Sequence, residues 1–219
     1  MALGDLYVSL AEQKGYLGVT DTVDDTILTS ALTAACTGVN DVCGRQFNDA
    51  GVPSARLFKP RSSDVCMVDD FSTSVGLVIA TDLDADGVFE QTWSGTDFEL
   101  EPLNGVRSGV PGWPYNQINA FSSLYFPSSA GRRGGLYTSP WRYARRDRAS
   151  VQVTARWGWA AIPEPVKQAV KITASEITKL KDAPFGVAGF DQYGAVRVRA
   201  NPIAMRLIGP YMVESHMMR

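Results

Sequence analysis

Residues 150–182 read SVQVTARWGWAAIPEPVKQAVKITASEITKLKD, and this stretch decides the fold. Val151, Val153 and Ala155 alternate with polar residues, which is the two-residue period of a strand that buries one face. The strand runs into Trp157-Gly158-Trp159, a turn without any group suited to catalysis. We therefore predict a half-buried strand that ends in a structural turn.

A helix is predicted after this turn, at 163–182. Pro163 and Pro165 stand where the first turn of a helix tolerates a missing N–H, and Glu164 lies beside the positive end of the helix dipole. Lysines occupy the other faces, which makes the helix amphipathic. Its apolar stripe consists of Val166, Val170, Thr173, Ile177 and Leu180.

Two more helical patterns lie near the N-terminus. Residues 2–14 predict a short amphipathic helix, ended by Gly15 and Gly18. Thr22, followed by an acid three residues later, resembles a capping box for a second helix that runs to about Cys43. The predicted buried positions of this second helix are Ile27, Leu28, Ala31, Leu32, Ala35, Val39 and Val42.

The middle of the chain has the composition of short strands separated by turns. Asp84 to Gly87 predicts a hairpin turn, and residues 128–149 form a loop rich in Gly, Ser and Arg. A loop of this length is typical of a functional segment or of one that becomes ordered in an assembly. The candidate strands are 55–60, 64–70, 75–82, 88–93, 98–102 and 118–126.

Helical ends that enclose a β-rich middle predict an α+β fold. We expect one domain over 1–219, with a small helical core made of the N-terminal helices and helix 163–182. A β-rich region is inserted into that core, and extended loop and arm segments complete the chain. The predicted boundaries are helical core 1–47 and 150–182, β-rich insertion 55–149 and C-terminal arm 183–219.

Composition narrows the class of protein. The chain has 219 residues, 45% of them hydrophobic, which is enough for a substantial core. No apolar run reaches the length of a transmembrane helix, and the first residues lack the features of a signal peptide, so we expect neither a membrane partner nor export. Cys36 and Cys43 lie seven residues apart on one helix face, which favours small buried residues over a metal site or a disulfide.

The net charge of −2 hides an imbalance between the two halves of the chain. Residues 1–103 contain 17 acidic and 5 basic residues, and residues 104–219 contain 6 acidic and 16 basic residues. If the two halves occupy different faces, subunits would meet acidic face to basic face, or a basic face would meet an acidic partner. The alternative is that most of these charges are solvated and paired locally.

One acidic turn resembles part of a calcium loop. Residues Asp82 to Gly87 place carboxylates at positions 1, 3 and 5 of an EF-hand loop and a glycine at position 6. Position 12 is Trp93, where the loop needs a bidentate Glu, and the flanks are predicted strands. We interpret this stretch as an acidic hairpin turn, and we predict no metal and no cofactor.

The long loop contains an arginine-rich segment with interleaved aromatic residues. Such a segment suits a nucleic-acid backbone or a single strand. Arginine also pairs bidentately with carboxylates and is common at protein interfaces, and the acid-rich first half favours a protein partner. We predict that this segment is a subunit interface or a channel loop, formed by Arg132, Arg133, Trp141, Arg142, Arg145, Arg146 and Arg148.

The sequence contains few residues in arrangements that suit catalysis. His216 stands alone near the C-terminus, and the sequence contains no GxSxG, HExxH or P-loop motif. The pair Asp69-Asp70 is better explained as a solvated strand end. We therefore expect no enzymatic activity.

Four segments, in order along nearly the whole chain, resemble the head-to-tail connector (adaptor) proteins of long-tailed bacteriophages. The first is a D-D-x-x-I/L-x-x-A-L-x-A-A helix that ends near G-R-x-F, and the second is a W-x-G-x-D-F-E-L-x-P-x-N segment. The third is V-x-V-T-A-x-W-G-W-x-x-I-P-x-x-V before a long helix, and the last is a G-x-D-x-Y-G tail. They lie here at Asp24 to Phe47, Trp93 to Asn104, Val151 to Leu180 and Gly189 to Gly194.

The resemblance implies a virion structural protein. Adaptors of this family form a ring, usually of twelve copies, below the portal, where the ring extends the DNA channel and meets the stopper or tail-completion protein. By this resemblance the chain would lie in the virion neck, after assembly in the host cytoplasm, and packaged DNA would pass through the channel without sequence-specific binding. Its portal-docking segment would be 187–211, with contacts from Arg197, Arg199, Ile203, Met205, Arg206, Leu207 and Tyr211.

Two other functions stay open at this point. One is a nucleic-acid-binding module that uses the arginines of 132–148. The other is a different phage neck protein, either a stopper or a tail terminator.

Overall fold

The computed structural model describes residues 4–84, 86–121, 124–127, 149–180, 187–191, 194–197 and 201–213. These residues form helices and antiparallel sheets, which confirms the predicted α+β class. They divide into two compact units. One unit is β-rich, and its described part lies between Asp49 and Ala160; the other is mainly helical and contains Gly4–Asn48 and Ala161–Arg219.

The β-rich unit contains nine strands in its described part. They are β1 (Ser54–Phe58), β2 (Val65–Phe71), β3 (Val78–Thr81), β4 (Gln91–Thr92), β5 (Phe98–Glu101), β6 (Val106–Arg107), β7 (Val110–Pro111), β8 (Tyr115–Ala120) and β9 (Val151–Ala155). One sheet has the order β1-β9-β3-β4, a second has the order β2-β8-β5, and β6 and β7 form a hairpin.

Strand β9 confirms the alternation predicted from the sequence. Val151, Val153 and Ala155 are fully buried, and the residues between them are half-buried. The strand pairs with β1 on one side and with β3 on the other, so it belongs to the β-rich unit, whereas the sequence analysis grouped 150–182 with the helical core. Because β9 lies between two strands, its backbone groups form hydrogen bonds on both sides, and these bonds fix β9 in the sheet.

The core of the β-rich unit is aromatic and aliphatic. Trp157, at the start of the WGW turn, is buried, and its ring lies edge-on to Phe71 at 6.1 Å. Its indole N–H donates to the carbonyl oxygen of Ser54 at 2.8 Å, so the polar atom of this large side chain has a partner. The other buried residues of this cluster are Cys66, Ile79, Trp93, Ile118, Phe126, Val151, Val153 and Ala155.

The helical unit contains α1 (Leu10–Leu17), α2 (Asp25–Cys43), α3 (Glu164–Leu180) and α4 (Pro202–Ile208), with a hairpin of β10 (Val187–Asp191) and β11 (Gly194–Arg197). The predicted helix at 163–182 is therefore confirmed. The first helix begins later than the predicted 2–14, because Ser9 and Glu12 form the capping box that starts it. It ends at Gly18, whose φ of 69° suits glycine.

Helix α2 packs on α3 through one face. Leu28, Leu32 and Val39 are buried there, and the predicted end of the helix at about Cys43 is confirmed. The predicted burial of Ile27 and Val42 is wrong, since both side chains are exposed. Thr22 was predicted as the N-cap, but Asp24 occupies that position without a side-chain capping bond. No helix among the described residues has the length and apolarity needed to cross a bilayer.

Candidate functional site

Helix α4 lies in the segment predicted to dock a portal, and it is built as a capped helix on α3. The side-chain oxygen of Asn201 accepts from the N–H groups of Ile203 and Ala204, at 2.8 and 3.4 Å, which starts the helix. The amide nitrogen of Asn201 donates to Glu176 of α3 at 2.7 Å. Ala204 and Ile208 are buried, so α4 packs on the rest of its own unit along one side.

The other side of α4 faces solvent. Ile203, Met205 and Arg206 are exposed on it, which leaves two apolar side chains and one cation available to a partner. Exposed large apolar residues beside a basic residue are typical of protein interfaces. The structure thus brings together three of the seven predicted docking residues on one short surface.

Two further predicted docking residues have intramolecular contacts. Leu207 is half-buried, and the ring of Tyr211 lies edge-on to Phe47 at 5.9 Å. The segment after α4 is tied to the end of α2, because the N–H of Val213 donates to the carbonyl oxygen of Cys43 at 3.0 Å. Burial raises the pKa of Tyr211, in agreement with a packed phenol. Residues 201–213 are therefore a packed part of the unit, whereas the sequence predicted an arm.

A buried tyrosine supports this end of the unit. The hydroxyl of Tyr7 donates to the side-chain oxygen of Asn40 and accepts from the N–H of Phe47 at 3.0 Å. Burial raises the pKa of Tyr7 to about 12, so the phenol stays protonated and keeps both hydrogen bonds. Phe47 thus lies between Tyr7 and Tyr211, with edge-on contacts to both.

The remaining predicted contact residues are only partly described. Arg197 ends strand β11, and Arg199 lies outside the described residues. The whole arginine-rich segment also lies outside them, as does His216. The members of that segment are Arg132, Arg133, Trp141, Arg142, Arg145, Arg146 and Arg148.

The two ends of the arginine-rich segment are held close together. The hydroxyl of Ser150, which follows the segment, donates to the carbonyl oxygen of Pro127, which precedes it, at 2.7 Å. The backbone N–H of Asp82 donates to the carbonyl oxygen of Ser150 at 3.0 Å. The residues that flank the arginine-rich segment therefore lie beside the acidic turn.

The acidic turn holds a cluster of carboxylates. Asp82, Asp84, Asp86 and Glu90 each place one carboxylate oxygen within 4.8 Å of the others. Asp82 is buried and accepts from the N–H of Gly87 at 2.8 Å. Carboxylate oxygens are the ligands of hard cations, although exposed acidic groups of this kind are common without an ion.

Glu90 belongs to this cluster but was not predicted from the sequence. Glu90 stands at position 9 of the calcium-loop pattern, which is a ligand position in such loops, and this spacing could have identified it. Trp93, at position 12, is buried and stacks on Phe126 at 4.5 Å, so it belongs to the core.

The carboxylates and thiols that could have been reactive are either paired with other side chains or buried. Asp69 pairs with Arg56 at 2.6 Å, and Asp70 accepts from the indole N–H of Trp159 at 2.9 Å. The three cysteines are free and buried. Burial raises the pKa of Cys43 to about 11 and that of Cys66 to about 12, which keeps the thiols protonated and weakly nucleophilic at neutral pH.

Comparison with solved structures finds similar folds. No family model matches the chain, and no curated protein matches it. The fold is similar to that of a chain in a solved structure described as "Neck of empty GTA particle computed with C6 symmetry", with 19% sequence identity and a TM-score of 0.52. The match covers 94% of this chain and 90% of that chain, so the likeness of fold extends over nearly the full length of both.

Proposed function

We propose that this protein is a structural component of a virion neck, and specifically a head-to-tail adaptor. It would form a ring below the portal, extend the DNA channel and connect capsid to tail. The observation that supports this proposal most is the fold similarity, over nearly the whole chain, to a component of the neck of a phage-like particle. The order of four sequence motifs supports the same role from an independent source.

The exposed side of α4 is the proposed portal contact. Ile203 and Met205 would be buried against the portal, and Arg206 would pair with a carboxylate at the rim. Arg197 and Arg199 would extend this contact along the chain. Leu207 and Tyr211 would hold α4 in place through their own packing rather than contact the portal directly.

The arginine-rich segment is the proposed channel or subunit-interface loop. It lies in the sequence between Pro127 and Ala149, and it carries six arginines and one acid. Such a charge suits either the carboxylates of a neighbouring subunit or the phosphates of passing DNA.

Copy number separates the adaptor from its rivals. We propose twelve copies, whereas a stopper or a tail terminator would form a sixfold ring. The C6 symmetry of the similar particle is compatible with both numbers, because a twelvefold ring also contains a sixfold axis.

The deciding experiment is the native mass of the complex formed with the portal protein of the same particle. Twelve copies bound to the portal are expected, and six copies bound to a tail-side protein would instead identify a stopper or terminator. Arg206→Glu should weaken portal binding, and Lys179→Glu on α3 is the matched control, since it makes the same charge change at another exposed site.

DNA binding tests the remaining rival. The nucleic-acid module predicts tight binding by the isolated protein that falls steeply with salt and is abolished by alanine at Arg145 and Arg146. The adaptor proposal predicts weak binding without sequence preference, and assembly with the portal that survives moderate salt.

A further inference from the structure

Within strands β1, β3 and β9, the side chains on the outer face of the sheet are uncharged, and several of them are exposed. In the strand register, Ala55, Thr154 and Val78 lie side by side, and Leu57 lies beside Gln152 in the next row. The alternate residues of these strands face the core, so these side chains point to the opposite surface. Leu57 is 56% exposed and Val78 is 46% exposed.

The turns beside this sheet carry further exposed apolar side chains. Val52 precedes β1 and is 70% exposed, and Val75 precedes β3 and is 78% exposed. The two turns are close, because a Cβ at Gly76 would lie 3.3 Å from the ring of Pro53. We call Val52, Ala55, Leu57, Val75, Val78, Gln152 and Thr154 the outer sheet face.

The size of this surface is informative. Three valines and a leucine with these exposures present roughly 400 Å² of apolar area, which is in the range that marks interaction sites on soluble proteins. Stable complexes bury about 800 Å² on each partner. The outer sheet face therefore fits one part of a larger interface better than a complete two-body interface.

The helical unit has an uncharged surface of its own, on the side of α2 that faces away from α3. Besides Ile27 and Val42, it displays Thr26, Thr29, Ser30, Thr33, Ala34, Thr37 and Gly38, all exposed. We call these nine residues the outer α2 face. An exposed helix face usually carries Lys, Glu or Arg, and among the exposed residues of α2 the charge comes from Asp41.

Three threonine hydroxyls of the outer α2 face are already satisfied within the helix. The hydroxyls of Thr29, Thr33 and Thr37 donate to the carbonyl oxygens four residues earlier, at 2.8, 2.9 and 3.0 Å. A partner can therefore cover these threonines without leaving a donor unpaired. Small residues at Ala34 and Gly38 also permit close approach of a flat surface.

We infer that the outer sheet face of one copy of this chain packs against the outer α2 face of the next copy. This inference rests on the proposed ring function. A ring with a single kind of contact needs two different, complementary faces on each subunit, and the outer sheet face and the outer α2 face supply one from each unit. The residues that define the two faces are uncharged, as those at the centre of a protein interface are, and three threonines of the outer α2 face already have hydrogen-bond acceptors.

Cross-linking of particles tests the pairing directly. A chain with Leu57→Cys and Ala34→Cys carries one exposed thiol on each face, and the native thiols are buried with pKa values raised by that burial. A short bismaleimide should join the double variant into a ladder of multimers that ends at the full ring. Each single variant should stay a monomer. Particles that contain the double variant but give no ladder would overturn the inference.

Charge substitutions test the energetics. Val78→Glu or Ala34→Glu should lower the fraction of chain in rings by about tenfold or more, because a carboxylate is buried without a partner. Val110→Glu is the matched control, since Val110 is 57% exposed and lies outside both faces. Equal assembly of all three variants, each as stable as wild type, would contradict the pairing.

Two further outcomes separate this inference from the proposed function. Protection of Leu57→Cys from maleimide in the monomer would mean that the chain covers this face itself, and the inference would fail while the neck role stands. Wild-type chain that neither enters particles nor forms a ring with the portal would refute the neck role itself.

Discussion

The Nε of Arg156 donates a hydrogen bond of 2.8 Å to one carboxylate oxygen of Asp49, and its Nη2 pairs with the other oxygen. Asp49 also accepts from the N–H of Gly51 at 2.9 Å. The backbone of the next residue, Ala50, donates to the carbonyl oxygen of Trp157 at 2.8 Å. This bidentate pair thus fastens the start of the β-rich unit to the WGW turn.

Asp49→Asn should lower thermal stability at neutral pH. Arg156 holds the pKa of Asp49 below its ordinary value of 3.8, so the carboxylate form is favoured in the fold. A carboxyl group whose pKa is lowered by folding stabilises the fold at pH values above its ordinary pKa. This stabilisation is lost as the pH falls through the lowered pKa. The difference in Tm between wild type and Asp49→Asn should therefore be largest near pH 7 and shrink in acid. A difference that grows below pH 4 would contradict this account.

Trp93→Ala should be among the most destabilising changes in the β-rich unit. The indole stacks on Phe126 at 4.5 Å with an interplanar angle of 18°, and its N–H donates to Thr81 at 3.2 Å. Removal of such a buried aromatic side chain costs about 3–5 kcal/mol. Trp93→Phe keeps most of the stacking and loses the hydrogen bond, which costs about 1 kcal/mol.

Urea unfolding gives both free energies, with Tyr125→Ala as the control, because Tyr125 is an exposed aromatic residue directly before Phe126 in the sequence. A loss below about 1 kcal/mol for Trp93→Ala would mean that the stack does not hold the core.

The elements with the clearest periodicity could be predicted from the sequence. Strand β9 and helix α3 have alternating and helical patterns that differ sharply, and local turn residues mark their ends. Ile27 and Val42 show the limit of this reasoning on α2. Their spacing fits a buried stripe, but α3 covers a narrower strip than the apolar residues occupy, and which residues it covers depends on tertiary packing.

The candidate surfaces were harder to predict for the same reason. Tyr211 contacts Phe47 across more than 160 positions of sequence, and no local pattern shows that contact. The capping box of Ser9 and Glu12 was present in the sequence as S-x-x-E, and it would have moved the start of α1 to its observed place.

Gln13 gives a test of polar burial between α1 and α3. Its side chain is fully buried, and its amide nitrogen donates to the carbonyl oxygen of Lys171 at 3.2 Å and to Ser175 at 3.0 Å. Its side-chain oxygen has no hydrogen-bond partner among the described residues. Such an orphaned oxygen is costly, so an apolar side chain of similar length should be tolerated.

We therefore expect Gln13→Met to change the free energy of unfolding by less than about 1 kcal/mol, since Ser175 keeps its own bond of 2.7 Å to Lys171. Gln13→Ala should cost about 2–3 kcal/mol, because it also leaves a cavity. Denaturant titration of both variants decides the matter. Equal losses for the two would show that the hydrogen bonds, rather than the filled volume, hold α1.

The acidic turn should be stabilised by neutralising one of its exposed carboxylates. Asp84 accepts from the N–H of Asp86 at 3.1 Å, and an asparagine retains that acceptor while removing one charge from the cluster of four. Asp84→Asn relieves repulsion among the four carboxylates, so in buffer with a metal chelator it should be up to about 1 kcal/mol more stable than wild type. Asp21→Asn is the matched control, because Asp21 accepts in the same way from Val23 at 3.1 Å, outside the cluster.

The same thermal scans in excess calcium separate a plain turn from a cation site. If the cluster is a hairpin turn, as the buried Trp93 at position 12 indicates, Asp84→Asn should remain more stable than wild type in calcium as well. A bound cation would reverse that order, because removal of a carboxylate ligand would then weaken binding and the stabilisation that comes with it. Wild type that gains several degrees in calcium while Asp84→Asn gains none would refute the turn interpretation.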